Sequence, residues 1–231
     1  MERHFEQELA TLREQLLAMG GRAETSMKKA IRALERRDRA LAAEIIRDDR
    51  LIDRLEIEVE ERCVMLLALQ QPLARDLRFI TAALKISNDL ERVGDHAVNI
   101  AGAADRLADL PLLKPLVDIP RMEELATGML RDALDAFVRR DAAAARAVCR
   151  GDDQVDQLNQ QVYRELITFM IEDPTTISRA LELILVARNL ERVADLATNV
   201  AEEVVFISEA RIIKHHAEES TGAESDEFDR A

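Results

Sequence analysis

Tryptophan is absent from the 231-residue chain, tyrosine occurs once, and aromatic residues make up only 3% of it. So few rings give no base-stacking platform, and a formal charge of −13 repels a phosphate backbone, which excludes nucleic acid as a partner. Two cysteines cannot build a disulfide framework. Cys63 and Cys149 fall at apolar helix positions and read as small hydrophobes, which suits a reducing compartment. The most apolar stretches, Val64 to Leu69 and Leu183 to Ala187, fall far short of the ~20 residues that cross a bilayer. The N-terminus is charged and amphipathic, without the basic start, apolar centre and small-residue cleavage site of a secretory signal, so a cytoplasmic protein is expected.

Only seven glycines and five prolines interrupt a chain dominated by Ala, Leu, Glu and Arg. Such usage favours helix nearly throughout and leaves little material for strands, while 48% apolar content is ample for a buried core.

The chain repeats itself. Leu90-Glu91-Arg92-Val93-x-Asp95-x-Ala97-x-Asn99-x-Ala101 recurs 100 residues later as Leu190-Glu191-Arg192-Val193-x-Asp195-x-Ala197-x-Asn199-x-Ala201. Upstream, Arg36-Arg37-Asp38 aligns with Arg139-Arg140-Asp141, and Ile52-Asp53-x-Leu55 with Val155-Asp156-x-Leu158, at an offset of 103. The offset changes at a turn that holds Pro72 in one copy and Pro174 in the other. Each copy reads as three helices: Glu2 to Arg37, Arg39 to Gln70 and Leu73 to Leu110, then Met122 to Arg140, Ala142 to Ile171 and Thr175 to Lys214. The expected fold is all-α, two tandem three-helix bundles, with units at 1–110 and 121–214. A linker with three prolines covers 111–120, and the acidic, apolar-poor stretch 215–231 is expected to be a disordered tail.

At about 100° per residue, Ile86, Leu90, Val93, Ala97 and Ile100 make an apolar stripe, and Glu91, Asp95 and Asn99 lie opposite. Val186, Leu190, Val193, Ala197, Val200 and Val204 repeat the stripe, with Glu191, Asp195 and Asn199 facing away. Ile52, Leu55, Val59, Cys63 and Leu66 match Val155, Leu158, Val162, Leu166 and Phe169 on the second helices. Beside them run Asp49 and Asp53, matched by Asp152 and Asp156.

Each unit therefore carries two carboxylate pairs at i,i+4 spacing. Like charges there repel by roughly 0.2–0.5 kcal/mol per pair in an isolated helix, and a hard cation such as Mg²⁺, Ca²⁺, Mn²⁺ or iron reverses the sign. A solvated face is the ordinary home of such pairs. Both copies nevertheless keep Glu, Asp and Asn in one order and Asp, Asp at the matching place, and the residues alone leave both readings open. Arg92 and Arg192 read as partners of neighbouring carboxylates, and His96 as a surface residue outside the site.

The two Glu-Arg-Val-x-Asp segments, the Asp-x-x-x-Asp segments before them and the duplicated six-helix layout resemble the PhoU family of phosphate-transport regulators. The resemblance implies two metal sites, Asp49, Asp53, Glu91 and Asp95 in one half and Asp152, Asp156, Glu191 and Asp195 in the other. It further implies a non-enzymatic negative regulator linking the ATPase subunit of a phosphate ABC transporter to a phosphate-sensing histidine kinase. Such a protein meets the membrane only through its partners; a homodimer is left open. Two other readings stand beside it: a metal-free helical adaptor and a carboxylate-bridged metalloenzyme. The second is opposed by the histidines, none of which stands three residues after a glutamate as di-iron bundles require.

Overall fold

The computed structural model describes residues 2–213, so the acidic stretch 215–231 and Lys214 lie outside the described residues. Helices account for nearly all of it: α1 (Glu2–Arg36), α2 (Arg39–Asp48), α3 (Arg50–Gln70), α4 (Ala74–Leu107), α5 (Asp118–Arg139), α6 (Ala142–Cys149), α7 (Asp153–Glu172) and α8 (Ile177–Glu209). A short 3₁₀ turn, Pro174–Thr176, leads into α8. The first half is α1, the α2–α3 pair and α4; the second is α5, the α6–α7 pair and α8.

The local chemistry is copied between the halves. Arg37 and Arg140 take left-handed conformations, φ 56° and 54°, which stop α1 and α5. The next residue's N–H returns to the helix, Asp38 N to Ala33 O at 2.9 Å and Asp141 N to Ala136 O at 3.0 Å. Each aspartate then caps the following helix, Asp38 Oδ1 accepting from Leu41 N and Asp141 Oδ1 from Ala144 N, both at 2.9 Å.

Two boundaries differ from the periodic reading. The second helix of each half is not continuous but breaks at Asp49 and over Arg150 to Asp152. Asp48-Asp49 and Gly151-Asp152-Asp153 are weak helix formers, and the chain tightens there to i→i−3 bonds, Ile52 N to Asp49 O at 2.7 Å and Gly151 N to Val148 O at 2.8 Å. The linker is also shorter than its prolines suggest, because α5 begins at Asp118 and holds Pro120 in its first turn, where no N–H is missed.

The apolar stripes meet where their spacing places them. Ile86, Leu90, Val93, Ala97 and Ile100 of α4 and Val186, Leu190, Val193, Ala197, Val200 and Val204 of α8 are all buried. α4 packs along α1 and along α8, and α5 packs along α8, so the third helix of each half forms the centre of the molecule. α8 buries Ala194 and Leu196 as well, so its apolar surface wraps further round than a one-sided stripe. Across the join, the Phe79 and Phe137 rings stack at 5.7 Å between centroids, and Lys85 of α4 donates to the buried Glu203 of α8 at 3.0 and 3.2 Å. Among the described residues no helix is long and apolar enough to cross a membrane.

Candidate metal centre

The break in the second helix decides where the first carboxylates stand. Asp49 and Asp152 precede the first residues of α3 and α7, and Asp53 and Asp156 occupy the first turns. A helix N-terminus favours negative charge, and neither Asp49 nor Asp152 spends its side chain on capping. Both carboxylates stay free to face the neighbouring long helix. Gly94 of α4 makes room for one of them: a Cβ there would lie 2.9 Å from Asp49 Oδ1 and 3.0 Å from Ile52 Cδ1. The second half has Ala194 at the corresponding place.

Within each half the carboxylates lie near enough to feel one another's charge. Partial burial pushes Asp49 up to about 6, and Asp53 and Asp95 add to the shift. Glu91 rises to about 7, first through burial and then through Asp95, Glu56, Asp53 and Asp49. In the second half burial and the charges of Asp156, Asp195 and Glu191 raise Asp152 to about 6. Burial followed by Asp195 raises Asp156 and Glu191 as well, but Arg192 and Arg188 pull Glu191 back.

Arg192 pairs with Asp195 at 2.9 Å and with Glu191 at 3.7 Å, whereas Arg92 turns to Asp89 at 3.6 Å. Asp152 Oδ1 and Glu191 Oε2 are buried with no hydrogen-bond partner. Two desolvated carboxylate oxygens without a hydrogen bond, of which Glu191 Oε2 has only the Arg192 guanidinium at 3.7 Å, suit a hard cation in chemistry and electrostatics. Among the described residues, however, no three His, Cys, Asp or Glu side chains converge into a ready ligand group.

His96 is not a plain surface residue. It sits half-buried between α4 and α8 with Nδ1 2.8 Å from Asn189 Oδ1, and burial lowers its pKa. Asn99 Nδ2 reaches the same oxygen at 3.4 Å. Sequence reading missed Asn189 because it lies outside the repeated motif. Cys63 and Cys149 are free thiols whose pKa values burial lifts to about 12 and about 11, in keeping with their reading as small hydrophobes.

A duplicated three-helix bundle with one carboxylate quartet per half is the class that these features define. The PhoU domain matches twice, over residues 16–104 and 119–204, and the chain belongs to the PhoU family. It is 44% identical over 208 residues to the phosphate-specific transport system accessory protein PhoU homolog of Aquifex aeolicus, covering 90% of this chain and 94% of that one. The Caulobacter vibrioides homolog of the same description is 42% identical over 87% of this chain and 88% of its own. Crystal structures agree. PhoU from Pseudomonas aeruginosa superposes with a TM-score of 0.86 at 39% identity, covering 90% of this chain and all of that one. The phosphate transport system regulatory protein PhoU from Streptococcus pneumoniae gives 0.85 at 31% identity, over 91% and 99%.

Proposed function

We propose that this chain is an accessory protein of a phosphate-specific transport system that restrains phosphate uptake and the phosphate-starvation response. It acts by binding, holding the transporter's ATPase subunit on one side and a phosphate-sensing histidine kinase on the other. The observation that carries this reading is the family match through both halves, together with relatives described as phosphate transport accessory proteins over nearly their full lengths. Asp49, Asp53, Glu91 and Asp95 would hold a hard cation in the first half, and Asp152, Asp156, Glu191 and Asp195 in the second. A bound cation would offset much of the repulsion within each quartet and fix the carboxylates beside α3 and α7. The chain's own part is to position the carboxylates on two adjoining helices and to shield them partly from water.

A metal-free adaptor is favoured by one observation, the absence among the described residues of a converged ligand group. One preparation separates the two. The untagged protein is isolated from phosphate-replete cells without chelator, its partners are identified by mass spectrometry, and its metal content is measured. Recovery of the ATPase subunit and the histidine kinase, with bound metal, is the expected outcome. The same partners without metal would leave the adaptor, and neither partner would defeat the regulatory reading.

A further inference from the structure

The carboxylates were kept when the unit was duplicated, but the surface beside them was not. In the second half Asn159, Tyr163, Arg164 and Arg188 occupy the places of Glu56, Glu60, Glu61 and Asn88. Every one of these exchanges makes the second half more positive. The four residues line an open cavity of about 420 Å³ between α7 and α8, together with Ile184 and Arg192. In the first half the corresponding position is already engaged within the chain, Asn88 donating to Glu56 at 3.3 Å.

Two of the three guanidinium groups of this groove, those of Arg164 and Arg188, are available. Arg164 uses Nε alone, on the Gln160 carbonyl at 3.2 Å. Among the described residues Arg188 and Arg164 have no carboxylate within ion-pair distance. Arg192 leans to Asp195 and Glu191, and Glu191 is the one carboxylate on the cavity wall. Three planar forks around one groove are suited to phosphoryl oxygens, which they grip in pairs. The cavity is far larger than a single orthophosphate needs and lies in the range of small-molecule sites, about 300–1,000 Å³. Its remaining wall is the Tyr163 ring, 51% exposed, with Ile184 beside it. A half-exposed ring beside an aliphatic side chain is a face for a planar group.

We propose that the α7–α8 groove of the second half binds a nucleoside phosphate, its phosphoryl groups on Arg164, Arg188 and Arg192 and its base against Tyr163 and Ile184. The first half, with glutamates at the same places, does not bind one. This site is distinct from the regulatory reading above and stands or falls without it.

The test uses the full chain and ADP, with EDTA present so that no cation bridges the ligand to the carboxylates. Tyr163 is the only tyrosine and there is no tryptophan, so intrinsic emission reports on this groove alone. Calorimetry supplies the affinity. Saturable ADP binding that changes Tyr163 emission is expected, weakened about tenfold or more by either R188N or R164E, since each removes charge-assisted hydrogen bonds. Both substitutions restore first-half residues at exposed positions, so folding survives. E56Q, in the first half, leaves ADP affinity unchanged. Y163A weakens ADP but not inorganic pyrophosphate, and inorganic phosphate binds more weakly than either. Pyrophosphate binding as tightly as ADP would overturn the role given to the ring. An acidic peptide that binds where ADP does not, or ADP affinity indifferent to both arginine substitutions, would overturn the site.

Discussion

The metal-free protein carrying Glu91→Gln and Asp95→Asn together is expected to melt at a higher temperature than the wild type at pH 8, and at nearly the same temperature at pH 5. The pair removes charge while keeping size, and what it removes in the absence of metal is repulsion. Glu91 in the fold titrates at about 7 and Asp49 at about 6, both driven up first by burial and then by the neighbouring carboxylates. In the unfolded chain both return to about 4. Between those limits the native state holds protons that the unfolded state has released, so stability falls as pH rises from about 4 to about 7 and stays low above it. The substitutions relieve the penalty where it is present in full, above about 7, and have little to relieve at pH 5, where the native carboxylates are still protonated and most of the penalty has yet to develop. Cation binding runs the other way. On the metal reading proposed above, a cation would compete with those protons, bind more tightly as pH rises through 6 to 7, and raise the melting temperature of the wild type by mass action. Added Mn²⁺ should therefore stabilise the wild type at pH 8 and stabilise the double variant less, by the loss of its first-half site. A double variant that melts below the wild type in EDTA at pH 8 would mean that the quartet is held by contacts stronger than its repulsion.

Phe137→Ala is expected to cost about 3–5 kcal/mol, the usual loss for emptying a buried aromatic site, and to lower the melting temperature by on the order of 10 °C. Phe137 is 2% exposed and stacks on Phe79, 3% exposed, so the ring couples α5 of the second half to α4 of the first. The Arg13 guanidinium lies 5.5 Å from the Phe79 ring centre, which ties α1 to the same place. Because the third helices of both halves pack on each other, the loss should be felt in both halves at once, as a single shifted transition. Phe137→Leu keeps most of the volume and should cost much less, under about 1.5 kcal/mol. Two separate transitions in Phe137→Ala would show instead that the halves unfold independently.

Much of this architecture is legible in the residues because two periodicities coincide. The 3.6-residue stripe through Ile86, Leu90, Val93, Ala97 and Ile100 marks the core face, and the 100-residue repeat marks its copy on α8. Both stripes are buried. The breaks at Asp49 and Arg150 to Asp152 are hidden from such reading, since helical spacing continues across them and only local hydrogen bonding changes. Pro120 misleads in the opposite sense: proline ends a helix in its interior but suits a first turn.

The candidate site was legible as eight carboxylates and not as an environment. Nothing in a single helix shows that Gly94 admits Asp49, that Arg192 turns to Asp195 while Arg92 turns to Asp89, or that His96 meets Asn189 across α4 and α8. Those depend on how separate helices are set against each other. The arginine groove had a signal in the sequence, the replacement of Glu56, Glu60, Glu61 and Asn88 by Asn159, Tyr163, Arg164 and Arg188. It becomes visible only when the repeats are compared for what they changed.

The regulatory reading is tested most directly by a reporter for a phosphate-repressed gene in cells grown with abundant phosphate. With the chain's gene deleted, expression should rise to the level of starved cells, and the intact chain supplied from elsewhere should restore repression. Full repression in the deletion strain under abundant phosphate would contradict the account.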